Sequence, residues 1–330
     1  MRPKILFVHS NDETFVRLDR EFLTTSFEVK DLHVTHKFPY DFFRYWDGLK
    51  NADALFCWFA SWNSFWALLL AKFLQKPSVL VIGGYDVADL PNSNYGHQRG
   101  GLKKLFSRYG MSLANILLPF SNYSRMEAEK NAGISSRRMQ VVYIGVPDLL
   151  GSLPSSPKEQ MVITVGNVEW ANLTRKGLEP FVRSAMLLPN IQFFLIGNWA
   201  DDSIRYLRSI APANVTFTGR ISDQDLLDYY RRASVYVQAS LHEGFGLSVA
   251  EAMLAGCIPV TTHIGSLPEV VGDSGFYCAS PEPSDVARAI DIALNSPLSF
   301  REHAREMILS HFPAETRRKF LEQVIWSFFP

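Results

Sequence analysis

Cysteine is scarce in this chain: Cys57, Cys257 and Cys278 are the only three in 330 residues. An odd, widely spaced set excludes a disulfide-stapled secreted scaffold, and none of the three has metal-ligand spacing. Net charge is lacking too, because 33 basic residues balance 33 acidic ones. That excludes a general polyanion binder, so no nucleic-acid partner is expected. Glycine and proline, 20 and 18 residues, stand at ordinary usage and leave no collagen-like or low-complexity class open. The opening MRPKILFVH holds too short an apolar run for a signal peptide and reads as a buried strand. The resulting expectation is a cytoplasmic protein, with peripheral attachment to the cytoplasmic membrane face as an extension of it.

Apolar material, by contrast, is plentiful. The chain is 47% hydrophobic and 13% aromatic, with 24 Phe and 7 Trp, which supports large cores and excludes disorder. Its length suits about two domains. One uncharged stretch, residues 54–71 (ALFCWFASWNSFWALLLA), is long enough to span a bilayer. Ser61, Asn63 and Ser64 interrupt it, and it divides equally into a buried strand at 54–58, a polar turn and a helix over about 64–75. The pattern on either side favours that division.

Short apolar runs bounded by turn residues alternate with helical patterns along the whole chain. Strands are expected at 4–9, 28–33, 54–58, 79–82, 116–118 and 141–144, then at 162–165, 193–196, 215–218, 235–238, 258–261 and 276–277. Helices are expected at 16–23, 98–109, 125–131, 178–187, 202–209, 223–231, 248–255 and 283–294. Such alternation specifies βαβ units and parallel sheets. Two series imply two doubly wound α/β domains, residues 1–150 and 151–312, with a Pro-, Ser- and Gly-rich break within 146–160. A tail helix over 313–330 is open to packing back on the first domain. Two domains of this kind face each other across a cleft, with ligands at the carboxyl ends of the strands.

The strongest chemical signal is residues 240–253, SLHEGFGLSVAEAM. It follows an apolar strand and opens a helix. Gly244 and Gly246 let the backbone approach a ligand closely, and the helix start offers unpaired N–H groups to a phosphate. Glu243 lies in the loop and Glu251 in the helix. Ser248 and Glu251 also fit a capping box, which would make Glu251 structural. Asp223-Gln224-Asp225 matches a D-x-D metal motif superficially, but it follows Ser222 at a helix start and reads as capping.

Glu243 and Glu251, with seven residues between them within EGFGLSVAEAMLAGCIPV, resemble the E-x7-E region of family 4 retaining glycosyltransferases. Residues 215–238, 265–270, 120–133 and 141–147 resemble, in the right order, the segments around that region. The similarity is strong over 162–279 and weak before 116. It implies a GT-B architecture with the nucleotide sugar held mainly by the second domain. It further implies that Glu243 contacts the donor sugar, that Glu251 holds the ribose hydroxyls, and that the backbone of Gly244, Phe245, Gly246 and Leu247 meets the sugar and diphosphate. The family's basic pair is matched only in part. Asn167 follows Gly166 where an Arg is usual, whereas Lys176 precedes Gly177 as expected, with Arg175 beside it as a substitute clamp. Arg220, after the strand at 215–218, joins the donor-binding set. The family normally needs no metal, so none is expected and no cofactor beyond the nucleoside-diphosphate sugar.

The first domain departs from the family. In place of a Gly-rich loop after the first strand stands His9-Ser10-Asn11-Asp12-Glu13. In Gly83-Gly84-Tyr85-Asp86, Asp86 either acts in catalysis, by contacting the donor sugar or accepting a proton, or closes an Asx turn. Trp62 either stacks on an acceptor sugar or packs in the core. No Asp or Glu lies between Asp89 and Glu127, an interval holding Arg99, Lys103, Lys104, Arg108 and Arg125. Leu102, Leu105, Phe106 and Tyr109 fall on one face of a helix there. That face either packs on the sheet, or the helix turns Lys103 and Lys104 towards an anionic acceptor or membrane. The resemblance implies a retaining transfer from a nucleotide sugar to a glycan, lipid-linked or small-molecule acceptor. A sugar-nucleotide epimerase or hydrolase of the same fold, and a non-catalytic nucleotide-sugar-binding module, are the alternatives.

Overall fold

Apolar runs of four to seven residues, too short for helices and flanked by turn residues, form parallel strands whose two faces are both covered. The computed structural model describes residues 2–35, 40–153 and 157–329. The chain divides into one unit of Met1–Gly145 with Ala314–Pro330 and another of Val146–Pro313. Part of the expected break, residues 154–156, lies outside the described residues. Asp148 in the same stretch is pinned within the second unit by an ion pair to Arg305.

In the first unit, β1 (Lys4–His9), α1 (Thr14–Ser26), β2 (Glu28–His33), α2 (Tyr40–Lys50), β3 (Ala54–Trp58), α3 (Trp62–Phe73), β4 (Ser78–Ile82), α4 (Gly101–Leu113), β5 (Ile116–Pro119) and α5 (Asn122–Ala132) follow in order. Among the described residues the strands form a parallel sheet ordered β2-β1-β3-β4-β5. Right-handed crossovers put α2, α3 and α4 on one face. Tyr45, Leu49, Leu68 and Met111 from these helices close a core with Leu6, Leu55 and Leu80 of the strands. The uncharged 54–71 stretch is thus β3 and α3, separated by a turn. Ser61 caps α3: its side chain accepts from the Ser64 amide at 3.4 Å, and the Ser64 hydroxyl accepts from the Ser61 amide at 2.8 Å. No helix of the described residues is long and apolar enough to cross a membrane.

The second unit runs β6 (Glu159–Val165), α6 (Trp170–Arg175), α7 (Leu178–Ser184), β7 (Gln192–Ile196), α8 (Ser203–Ile210), β8 (Val215–Gly219), α9 (Asp223–Arg232), β9 (Ala233–Gln238), α10 (Leu247–Leu254), β10 (Ile258–Thr261), α11 (Leu267–Val271), β11 (Phe276–Tyr277), α12 (Pro283–Leu294) and α13 (Ser299–His311). Its parallel sheet is ordered β11-β10-β9-β6-β7-β8. The strand order reverses between β6 and β9, and such a switch point opens a crevice at the strands' carboxyl ends.

The tail forms α14 (Ala314–Trp326), which lies in the first unit and packs on α1. Its anchor is Arg317, 2% exposed, whose guanidinium donates to both oxygens of the fully buried Asp19 at 2.6 and 2.7 Å. The same guanidinium donates to the carbonyls of Val142 and Tyr143 at 2.8 and 3.0 Å and lies over the Trp58 ring. This corrects the strand expected at 141–144. The segment is extended, and the Val142 amide donates to the Pro119 carbonyl, but Arg317 takes the carbonyls a further strand would need. Gly100, at φ +138, likewise stops the helix expected over 98–109 from running through, so α4 starts at Gly101. Helices α2, α6, α11 and α13 were not expected at all. Arg317→Met strands a buried carboxylate and should cost about 3–5 kcal/mol in urea unfolding, much of it recovered when Asp19→Leu is added.

Candidate functional site

The site grows from the loops that follow β6 and β9. Gly177, at φ +69, comes so close to the end of β9 that a Cβ would lie 2.2 Å from the Ala239 carbonyl oxygen. The Leu241 amide donates to the Arg175 carbonyl at 2.8 Å. Together these hold the Arg175–Gly177 turn against the loop carrying Glu243. Asn172 donates to the Asn167 carbonyl at 2.8 Å and its own side-chain carbonyl accepts from the buried Arg175 guanidinium. Arg175 therefore organises this turn from inside it. The half-buried Lys176 lays its stem beside Gly166, and among the described residues its ammonium is in no ion pair.

Glu243 is braced from behind. Its carbonyl accepts from both the amide and the hydroxyl of Ser266 at 3.0 Å. Gly265 is required there, since a Cβ would fall 2.7 Å from that carbonyl oxygen. The Glu243 Oε2 is shielded from solvent and has no hydrogen-bond partner, an arrangement that a ligand hydroxyl or amide would complete. Phe245 is buried and packs edge-on against Phe312, so only its backbone can meet a ligand.

Helix α10 starts behind Gly246, at φ +92, with no side-chain cap. The first-turn amides of Leu247, Ser248 and Val249 have no acceptor within the helix. The capping-box alternative for Glu251 is thereby overturned, because the N-cap is Gly246 and not a Ser three residues before Glu251. Glu251 instead accepts from the Tyr230 hydroxyl at 3.2 Å. Burial pushes the Glu251 carboxyl up to about 7, against the lowering effect of the Tyr230 bond, and Asp223 nearby adds to the rise. Burial also pushes the Tyr230 hydroxyl up, so it stays a donor. Tyr230 and Ser266 were not picked out from the sequence, since neither stands in a motif of its own. Asn167 and Arg220 lie exposed after β6 and β8, both beyond the carboxyl ends of strands of the parallel sheet. Ser222 caps α9 by accepting from the Asp225 amide at 3.1 Å, which gives the D-x-D sequence its capping role. No metal-binding cluster occurs among the described residues.

The first-unit candidates gather after β3 and β4. Asp86 is 1% exposed, and its oxygens accept from the Gly83, Gly84 and Ala60 amides at 3.1, 2.9 and 3.0 Å. Its carboxylate closes the turn and ties it to the β3 loop, as the Asx-turn alternative expects. Trp62 is partly exposed and meets Phe106 edge-on at 4.2 Å. Lys103 is exposed with its ammonium 5.9 Å from the Tyr85 ring, and Lys104 is half-buried. The apolar face expected on α4 does not pack on the sheet. Met111 reaches the core over the sheet, Gly110 lies against Phe65 and Leu68 of α3, and the Ser107 hydroxyl donates to the Asp86 carbonyl at 3.0 Å, while Leu102, Leu105 and Tyr109 stay exposed.

Two parallel α/β domains with these switch-point loops define the GT-B fold. The Anabaena HepE structure, solved with UDP and glucose, superposes with a TM-score of 0.78 over 98% of this chain and 100% of that one, at 16% identity. Residues 148–309 match the family model for glycosyl transferases group 1. The Escherichia coli O-antigen chain mannosyltransferase B is 29% identical over 191 residues, 52% of this chain and 49% of that protein. A phosphatidylinositol N-acetylglucosaminyltransferase polypeptide of Arabidopsis thaliana is 24% identical over 222 residues, 64% of this chain and 49% of that protein. The chain thus spans about half the length of these curated relatives.

The Glu251 carboxyl, raised to about 7, binds its proton more tightly in the folded than in the unfolded chain. Its burial costs nothing below the ordinary carboxylate value, and the cost grows as pH rises from about 4.5 through 7. The stability gained by Glu251→Gln should therefore be larger at pH 8 than at pH 5 in paired urea titrations. A pH-independent difference would contradict the desolvated carboxylate.

Proposed function

We propose that this chain is a retaining glycosyltransferase that moves a sugar from a nucleoside-diphosphate donor to an acceptor hydroxyl. The observation that carries the reading is the start of α10, where first-turn amides without intrahelical acceptors lie between the unpartnered Glu243 oxygen and the desolvated Glu251. Helix amides suit a diphosphate, and a carboxylate suits two neighbouring ribose hydroxyls. In the proposal Glu251 holds the ribose and Glu243 orients the sugar and stabilises positive charge at its ring. Lys176 and the helix start stabilise the departing β-phosphate, which is electrostatic preorganisation rather than covalent catalysis. No metal is called on for that role. Arg175 holds Lys176 in place, and Asn167 and Arg220 supply outer donor contacts.

The UDP and glucose bound in HepE support a nucleotide-sugar donor. The mannosyl- and N-acetylglucosaminyltransferase relatives support a glycan or lipid-linked acceptor. The three cysteines are buried and free, which fits a reducing, cytoplasmic compartment.

Slow hydrolysis across a panel of nucleotide sugars tests the reading directly, and no turnover of any donor would oppose it. Glu251→Gln should weaken nucleoside-diphosphate binding by about 1–3 kcal/mol in calorimetry, the range for a lost charged hydrogen bond. Unchanged affinity would remove the ribose role. Lys176→Ala should lower kcat about a hundredfold or more, because its charge matters most as the phosphate departs. A wild-type kcat with only a raised KM would contradict that role.

A further inference from the structure

Helices α2, α3 and α4 form one layer over the first sheet, and their outer side is unusually apolar. Phe73 is 73% exposed, Leu102 70% and Phe43 67%, against the rule that a helix turns its apolar stripe inward. On α3, Trp62, Leu69 and Phe73 recur at helical spacing, all exposed, in a helix whose buried side is already filled by Ala67, Leu68 and Ala71. Aromatic rings link the three helices across the layer: Trp62 meets Phe106 at 4.2 Å, Phe42 meets Trp66 at 6.1 Å, and Trp46 meets Phe73 at 6.4 Å.

Charge on this layer has one free sign. Neither α3 nor α4 contains an Asp or Glu, and between Asp53 and Glu127 the only acids are Asp86 and Asp89. Asp86 is buried in its turn. The two acids of α2 are answered, Asp41 by Arg44 at 3.0 Å and Asp47 by Lys30 at 2.9 Å. Lys72, Lys103 and Lys104 stand beside the apolar stripes with no acid on their helices.

We propose that this helix layer is a docking surface for an anionic lipid bilayer. Exposed Trp, Tyr and Phe with interspersed Lys is the composition of a side that lies in the headgroup region, apolar groups below the phosphates and ammonium groups among them. A second copy of the chain fits worse, because a two-fold contact would set these unanswered cations against their own kind. The surface lies in the first unit, so the proposal goes beyond the donor reading and stands apart from it.

Co-sedimentation of the full chain with phosphatidylcholine vesicles, with and without phosphatidylglycerol, tests it at low and high salt. Binding to the anionic vesicles alone, weakened by salt, is expected. Lys103→Glu with Lys104→Glu should lower that partitioning at least about tenfold, given the attraction of each cation to an anionic surface. Leu102→Ser with Leu105→Ser should lower it too and leave the remainder more salt-sensitive. Phe73→Ser, on a different helix, repeats the test should either double variant melt below the wild type. Wild-type protein left in the supernatant, equal binding to neutral and anionic vesicles, or variants that bind as wild type would each overturn the proposal. So would a concentration-dependent dimer in sedimentation velocity that Leu102→Ser with Leu105→Ser abolishes. Nucleotide calorimetry on the same samples reports the second unit separately, so failure of one reading is distinguishable from failure of the other.

Discussion

The candidate site depends on one close backbone approach. Gly177 lies where a Cβ would be 2.2 Å from the Ala239 carbonyl oxygen, so any side chain there would push two loops apart. One loop presents Lys176 and the other leads into Glu243 and the start of α10. Because the two loops follow strands on either side of the switch point, their separation is set by the sheet, and the glycine lets them close. Gly265 repeats the device behind Glu243, again where backbone meets backbone. Both glycines have positive φ, at +69° and +68°, so conformation and space demand the same residue.

The first unit is organised differently, by a buried charge. Arg317 satisfies Asp19 and the carbonyls of Val142 and Tyr143 together, and so it welds α14, α1 and the end of the first domain's chain into one piece. A buried pair of this kind needs every donor and acceptor matched to offset the loss of hydration. The Ser26 hydroxyl adds a second tie across the same helices, donating to Glu322 at 2.8 Å. The C-terminal helix is part of the first domain's architecture for this reason, although it follows the second domain in sequence.

Most strands were legible because burial on both faces leaves an unbroken apolar run. Helix α2 escaped notice because its sequence, YDFFRYWDGLK, carries aromatics on its outer side as well as its inner side, which blurs the helical period. Residues 141–144 resembled a strand by composition, yet a side chain from 170 or more residues away occupies their carbonyls. On α4 the sequence marked an apolar stripe correctly but could not say which way it faces. The small Gly110 lies close against α3 and Ser107 is drawn to the Asp86 turn, and that turns the larger side chains outward.

For the site, the sequence by itself determined the residue types and their spacing: a carboxylate, a glycine-opened helix, a second carboxylate one to two turns on, and a lysine before a glycine. These are local properties of the chain, so no knowledge of distant neighbours was needed. The tertiary structure alone decided what each polar group meets. It gave Glu251 a tyrosine partner and a raised pKa in place of a capping role, drew Asp86 into its own turn, and left one oxygen of Glu243 unanswered. Desolvation and hydrogen-bond partners depend on chain segments brought together by folding, and that is why spacing could locate the candidate residues but could not assign their environments.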